Sequence, residues 1–230
     1  MKVWYLYHSG VAVQTGGYLL IFDYWKNHTL PGGIPALIQK ENCPVLVFCS
    51  HAHDDHFNPE ILQWRRNFSK VEYILSDDIA SQTGCTMLSS GAVLSRPDYT
   101  VRTFASTDAG VAFLVEIDGV SIYHAGDLHW WHWSSEPDQE NRAMASAYQA
   151  ELQKLSRNDL DLSFVPVDGR LGDAYALGID YFAAHVACPH IIPIHFSSDV
   201  SVLSKLSRHA DSYLDRLCLL SEANPCTSFD

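Results

Sequence analysis

Short apolar runs ended by turn residues recur along the chain, with stretches of helical spacing between some of them. Val3-Trp4-Tyr5-Leu6-Tyr7, Val11 to Gln14 and Tyr18 to Phe22 predict three strands of a meander, with Gly16-Gly17 as a hairpin turn. His8-Ser9-Gly10 falls between the first two, where a lone loop histidine is expected to be exposed. A loop at Pro31-Gly32-Gly33 precedes a short helix over Pro35 to Lys40. Val45-Leu46-Val47-Phe48, bounded by Pro44, reads as a strand buried on both faces. Asn58 as N-cap and Pro59 at the first position start a helix continuing over Ile61 to Phe68. Val71 to Leu75 is the next strand, Ser76-Asp77-Asp78 caps a short helix, and Val93-Leu94 and Val101 to Phe104 are brief strands.

Val111 to Ile117 and Val120 to His124 flank Asp118-Gly119, a strong hairpin signal. Glu140 to Ser156 has helical spacing, with Ala143, Ala147, Leu152 and Leu155 as the apolar stripe. Leu162 to Val167 predicts a strand and Gly178 to Ala187 a helix with Asp180 near its start. Ile191 to Ile194 is a strand that delivers His195. Asp199 caps a final helix running to about Leu220, and Ser221 to Asp230 reads as a loose tail. This order predicts an α/β sandwich in one domain over residues 1–230. It has two β-rich halves, about 1–118 and 119–220, with helices outside.

Composition narrows the partners more than the fold. The chain is 47% hydrophobic and 18% charged, enough for a sizeable core. Its formal net charge of −12, from 15 Lys+Arg against 27 Asp+Glu, argues against nucleic acid as a partner. No apolar run approaches a membrane span and the first residues carry no signal pattern, so no membrane partner is expected. Cysteines 43, 49, 85, 188, 218 and 226 form no tight pairing pattern. They are expected to be reduced, which points to a cytoplasmic protein.

The candidate chemistry is concentrated after the buried strand, in Ser50-His51-Ala52-His53-Asp54-Asp55-His56. In an extended segment His51 and His53 project to one side, where two imidazoles can grip one transition-metal ion. Asp55 and His56 follow as the chain turns and can reach a second ion. Asp127 follows a strand and a glycine, at a sheet's edge. Asp23 ends the third strand, as a plain turn aspartate or as the carboxylate that fixes a ligand histidine's other ring nitrogen. His129-Trp130-Trp131-His132-Trp133 is a candidate pocket wall, a lid or a subunit contact, with Trp130 taken as a substrate contact. Asp168 and Arg170, at another strand end, are substrate candidates or an ordinary turn with a surface salt bridge.

The spacing His-x-His-x-Asp-His resembles the signature of the metallo-β-lactamase superfamily. Supported by the strand–Gly126-Asp127 and strand–His195 features, the resemblance extends from about Val3 to Ser197. It is nearest to the small ascorbate-lactonase-like (UlaG-like) hydrolases. It implies the metallo-β-lactamase fold, a four-layer αββα sandwich with its site at one edge between the sheets. It also implies a metal-ligand set of His51, His53, Asp55, His56, Asp127 and His195, with Asp127 bridging two divalent ions, zinc first and manganese or iron as alternatives. In some branches of the family the loop at His8-Ser9-Gly10 borders the active site. One departure stands out. The family pattern calls for a third histidine at the first ion, between His56 and Asp127, and the loop Phe104 to Gly110 has none. Asp108 supplies an oxygen there, or His124 substitutes, or the first site lacks that protein ligand. An oxygen-richer set tilts a site from zinc towards manganese or iron.

Two ions sharing a water would lower its pKa to about 7 from about 16, giving a hydroxide that attacks a carbonyl or phosphorus. Asp55 would be the catalytic residue that orients that water or accepts its proton. The expected activity is a metal-dependent hydrolase using metal-bound hydroxide on a small-molecule ester, lactone or phosphodiester. The alternatives are a nuclease or RNA-processing member of the superfamily and a non-catalytic metal-binding or sensor domain with a degraded first site. A flavin-linked redox member would carry a Glu in the motif, and none is present. The oligomeric state stays open.

Overall fold

The computed structural model describes residues 1–229. The strands β1 (Lys2–Tyr7), β2 (Gly10–Gln14), β3 (Leu19–Phe22), β4 (Val45–Cys49), β5 (Val71–Ser76) and β6 (Thr86–Leu88) lie side by side in that order in one sheet. A second sheet runs β7 (Val93–Ser95), β8 (Tyr99–Ala105), β9 (Val111–Ile117), β10 (Val120–His124), β11 (Leu162–Pro166) and β12 (His190–Ile194). The last strand, β13 (Cys226–Ser228), returns to the first sheet beside β1. Among the described residues are also four α-helices, α1 (Gly33–Glu41), α2 (Asp138–Leu155), α3 (Leu177–His185) and α4 (Ser201–His209), and short 3-10 helices.

The two faces of the strands explain why so many runs are apolar at every position. On β4, Leu46 and Phe48 join the core between the sheets, whereas Val45, Val47 and Cys49 pack with Ile34, Leu37 and Ile38 of α1. β1 divides the same way, with Val3 and Tyr5 turned inward and Trp4 and Leu6 outward. On the far side, Tyr148, Leu152 and Leu155 of α2 and Ile179 and Phe182 of α3 pack against the second sheet, where Phe182 stacks on Tyr123 at 5.8 Å. The layers are helix, sheet, sheet, helix: the expected αββα sandwich.

Strand direction decides where the chemistry goes. β3, β4, β5 and β6 are parallel, and so are β10, β11 and β12. β1 is antiparallel to β2, and β2 to β3, so two reversals leave β1 pointing the same way as β3. The chain leaves β1, β3, β4, β10, β11 and β12 at corresponding ends of the sheets, the edge where parallel sheets collect ligand-binding loops.

Several expectations need correction. The sheets divide between Leu88 and Val93, not at the Asp118 turn, because β9 and β10 form a hairpin within the second sheet (Ile117↔Val120). The tail is not loose: Val3 pairs with Thr227. Asp230 lies outside the described residues. The α2 stripe rests on Asn141, Tyr148, Leu152 and Leu155, while Ala143 and Ala147 are exposed; the large tyrosine, rather than two small alanines, selects the buried face. Pro59–Arg66 is a 3-10 helix, although Asn58 does cap it by accepting from the Glu60 amide at 2.9 Å. Ser76 ends β5, and Asp77-Asp78 forms a turn rather than a helix. The final helix stops at His209 with Val200, not Asp199, at its N-cap. Apolar spacing continues through Tyr213 and Leu217, but the Cys218 amide is taken by the Ile191 carbonyl at 2.9 Å. Pairing of Leu217 with β12 covers that sheet edge and outcompetes further helix.

No helix among the described residues is long and apolar enough to cross a membrane. All six cysteines are unpaired.

Phe22 lies face to face with Phe48 at 4.6 Å and with His124 at 5.0 Å, joining both sheets beneath the loop edge. Phe22→Ala is expected to cost about 3–5 kcal/mol of stability. It would be measured as a lower urea midpoint at unchanged slope. A loss below about 1 kcal/mol would show that the two sheets do not depend on this stack.

Candidate metal centre

The motif after β4 is not extended. Residues 51–56 turn, and the His56 and Phe57 amides both bond the His53 carbonyl, at 3.0 and 2.9 Å. His51 and His53 therefore meet through the turn, with ring centroids 4.6 Å apart. His51 and His56 are fully buried and 4.0 Å apart, while His53 is exposed at the rim. Two glycines let the second sheet close on this loop. A side chain at Gly110 would meet the Ser50 carbonyl at 1.9 Å, and one at Gly126 would meet Ser50 Cβ at 2.5 Å. Both adopt positive φ, 64° and 53°.

Asp23 holds the loop from below. It accepts from the Ser50 amide and the Ser50 hydroxyl, each at 2.7 Å, and its Oδ2 lies 2.7 Å from His56 Nδ1. It is thus the carboxylate that fixes a ring nitrogen, not a plain turn residue. Burial would raise its pKa, but His124 and His56 outweigh that and bring it down to about 2.

Asp127 stands at the centre. Its Oδ2 is 3.7 Å from His51 Nε2, and its Oδ1 is 3.2 Å from His56 Nε2 and 3.4 Å from His195 Nε2. Burial would raise its pKa, but His56 and His195 hold it well below the usual carboxylate range. His195 is lowered by burial and raised more strongly by Asp127 and Asp168, to about 9. His195 Nδ1 lies 3.2 Å from Asp168 Oδ2.

Asp55 and Asp108 face the same opening. Ligating atoms of His51, His53 and Asp55 lie within 4.8 Å of one another, as do those of His53, Asp108 and Asp127. Of the alternatives for the missing histidine, the geometry favours Asp108 over His124. His124 is spent inside the core: its Nε2 is 2.9 Å from the Ser9 carbonyl and its Nδ1 accepts from the Gly126 amide at 3.1 Å.

The substrate candidates fare unevenly. Asp168 is buried behind His195 and also bonded to Arg170, so it positions those groups rather than facing the opening. Arg170 reaches the cavity with an exposed side chain, its guanidinium 5.8 Å from the Trp133 ring. Trp130 does not reach it and packs instead on Tyr148 and Tyr181 of the helical layer. The wall is Trp131 and Trp133, parallel at 6.2 Å, beside a cavity of about 360 Å³ that His53, Asp55, Asp108, Asp127 and His195 also line. Trp131 is fixed by its ring N–H, which donates to the Asp127 carbonyl at 3.1 Å.

His8 departs from its expected place as an exposed loop histidine. It is buried, not exposed, with its ring 4.1 Å from that of His195 and its Nε2 3.4 Å from Asp55 Oδ2. Burial, then His195 and His56, lower its pKa to about 3, so its ring is neutral. The direction of β1, not any motif, brings it here.

The residues fit a bound cation. His8 Nε2, His51 Nε2, His56 Nε2 and Asp127 Oδ1 are buried and lack a hydrogen-bond partner among the described residues. Each such group costs about 1–3 kcal/mol if left unsatisfied. They lie on one edge in two overlapping groups, His8 with His56 and His195 and His51 with His56 and Asp127, which bound cations would satisfy.

Residues 2–143 match the family described as a β-lactamase superfamily domain. The chain belongs to the metallo-β-lactamase superfamily. It is 27% identical over 224 residues to a UPF0173 metal-dependent hydrolase of Opitutus terrae, covering 88% of this chain and 87% of that one. Among solved structures it is similar to Igni18, a metallo hydrolase of Ignicoccus hospitalis (TM-score 0.69, 16% identity, 100% of this chain and 99% of that one). It is also similar to the metallo-β-lactamase fold protein YhfI of Bacillus subtilis (TM-score 0.65, 15% identity, 99% of each chain).

In this metallo-β-lactamase chain the Asp23 carboxylate links the fold to the metal edge, and its charge carries a pH signature. Its folded pKa of about 2 lies below the ordinary 3.8, so its ionised form stabilises the protein above about pH 4. That contribution is lost as the pH falls through about 2. Asp23→Asn should lower stability at neutral pH by about 3–5 kcal/mol, the cost of breaking a buried pair. In urea unfolding the gap from the native protein should narrow between about pH 4 and 2. A gap that stays constant over that range would show that the charge of Asp23 is not what holds the loop.

Proposed function

We propose that this metal-dependent hydrolase of the metallo-β-lactamase fold binds two divalent cations and cleaves a small ester, lactone or phosphodiester. The reading rests on one observation above all: Asp127 presents Oδ2 towards His51 and Oδ1 towards His56 and His195, as a carboxylate shared by two ions would. His51, His53 and Asp108 would serve one side of it, and His56 and His195 the other, with Asp55 at the rim between them. The mixed nitrogen and oxygen donors suit zinc, with manganese or iron as the alternatives for the oxygen-richer side.

Bound cations of this kind lower the pKa of a water to about 7 and polarise the oxygen under attack. The chain's residues do the rest. Asp55, at the cavity wall, orients the water and takes its proton on a carboxylate oxygen. Trp131 and Trp133 offer a rigid apolar wall for the substrate's non-reacting part and limit water at the edge. Arg170, braced by Asp168, offers a cation to a carboxylate or phosphate on the substrate. A cavity of about 360 Å³ suits a small molecule rather than a polymer, in keeping with the acidic chain. We place the protein in the cytoplasm on its six unpaired thiols, and read residues 1–230 as one domain because both sheets contribute to one edge.

Metal content per chain, measured on protein purified without a metal-affinity tag, tests the reading. Two ions should fall to one or none in Asp127→Ala. A native chain that takes up neither zinc nor manganese would overturn the proposal. Asp55→Asn should lower kcat on a generic ester or bis-phosphodiester by roughly 10²–10⁴-fold, the range lost with a proton-transfer group. An unchanged kcat at full metal content would remove Asp55 from that role.

A further inference from the structure

We propose that His8 is a metal ligand, so that the three-imidazole site of this chain is the one formed by His8, His56 and His195. The inference rests on the reading that this edge binds divalent cations, and it assigns the donors within it. One ring nitrogen from each of these three histidines lies within 4.8 Å of the others.

His8 is held as the motif histidines are, with His51 Nδ1 2.9 Å from the Ser50 hydroxyl and its Nε2 left without a partner among the described residues. His56 Nδ1 is 2.7 Å from Asp23, His195 Nδ1 is 3.2 Å from Asp168, and His8 Nδ1 is 2.8 Å from the Ser197 hydroxyl. His56 and His8 are each anchored through Nδ1 to an oxygen, which leaves Nε2 free to bind, while His195 Nδ1 faces the Asp168 carboxylate without a hydrogen bond. This is how ligand histidines are oriented: the anchor fixes both tautomer and ring plane. The Nε2 atoms of His8 and His56 are buried and have no hydrogen-bond partner among the described residues. A histidine that merely filled space at the end of β1 would need neither an anchor on one nitrogen nor an orphan on the other.

The backbone supports the same assignment. His8, His195 and Ser197 all adopt left-handed conformations, at φ 56°, 68° and 47°. None is glycine, so each costs energy that the surroundings must offset. The strained segments are locked to one another, because the His195 amide donates to the His8 carbonyl at 3.1 Å and the His8 amide donates to Tyr5 Oη at 2.9 Å. The strain aims the two rings at a common point with centroids 4.1 Å apart.

The consequence is an inversion of the expected site. The side with His51 and His53 is completed by carboxylates, Asp108 and Asp127, whereas the His8 side gathers three nitrogens. Nitrogen-rich donors favour zinc or cobalt and oxygen-rich donors favour manganese. The His8 side therefore fills first with a borderline ion.

The test is cobalt(II) titration of the full chain after metal removal by chelation, followed by absorption and by proton NMR of the hyperfine-shifted ring N–H signals. In the native protein the first equivalent should bring up three such signals, one per imidazole. His8→Ala should lose one of them. Its first-equivalent affinity should fall by more than the roughly 10–100-fold that loss of an outer anchor costs. His53→Ala should keep the first equivalent and weaken the second. Should His8→Ala not fold, Ser197→Ala removes only the anchor. It should shift the His8 signal and weaken the first equivalent by about 10–100-fold.

Unchanged affinity and three signals in His8→Ala, or first loading that disappears in His53→Ala, would overturn the inference while leaving a metal enzyme in place. His8 would then act only on Asp55, 3.4 Å away. A native chain that binds no cobalt, zinc or manganese would overturn the proposed function itself.

Discussion

The buried carboxylate of Asp23 joins the end of β3 to the loop after β4, and the metal edge depends on that tie. A full charge without solvent is costly unless every lone pair is used. Asp23 meets the requirement through the Ser50 amide, the Ser50 hydroxyl and His56 Nδ1. Ser50 in turn lies 2.9 Å from His51 Nδ1 through its hydroxyl. The loop geometry and the tautomers of two histidines thus follow from one charge, and His124 approaches it from the second sheet at 3.8 Å. The tight loop is possible because Gly110 and Gly126 let the second sheet's backbone come up against Ser50.

Above that base, Asp127 does for the two halves of the site what Asp23 does for the loop. Its two oxygens face different histidines, and it reaches that position from the second sheet, whereas His51 and His56 come from the first. The site therefore exists only once the sheets have packed. The Phe22, Phe48 and His124 stack beneath it is the apolar part of the same junction. The wall of Trp131 and Trp133 is tied to it too, through the bond from Trp131 to the Asp127 carbonyl. The histidines and the carboxylate of the proposed metal site lie just past the ends of β4, β10 and β12, and rigid strands give the positioning such a site requires.

Much of this was legible in local pattern. The β4 run, the His-x-His-x-Asp-His motif, the Gly126-Asp127 step and the delivery of His195 by β12 are short-range features whose chemistry and placement go together. Asp23 was half legible, as a carboxylate at a strand end. Trp130 was misread because its neighbours at 131 and 133 share its chemistry, and only the twist of the chain after Asp127 decides which indoles face the cavity. Asp168 was left between a substrate contact and a salt bridge with Arg170, because a strand-end carboxylate looks the same in either role, and its pairing with Arg170 and approach to His195 are visible only in the folded chain. The final helix was overextended because its apolar spacing persists past the point where pairing with β12 takes over the backbone.

By itself the sequence determined most of the strands and an α/β sandwich, because periodicity is a property of neighbouring residues, while the four-layer αββα fold and the donor set came from the resemblance of the His-x-His-x-Asp-His spacing to a known family. Tertiary structure decided what depends on strand direction and on which loops meet at one edge. Two antiparallel reversals return β1 to the direction of β3, and that parity carries His8 from an unremarkable hairpin to the side of His195. Ser197 lies 189 positions after His8, and no local pattern joins them. Their contact arises only from the packing of two sheets, and with it the choice between an exposed loop histidine and an anchored imidazole.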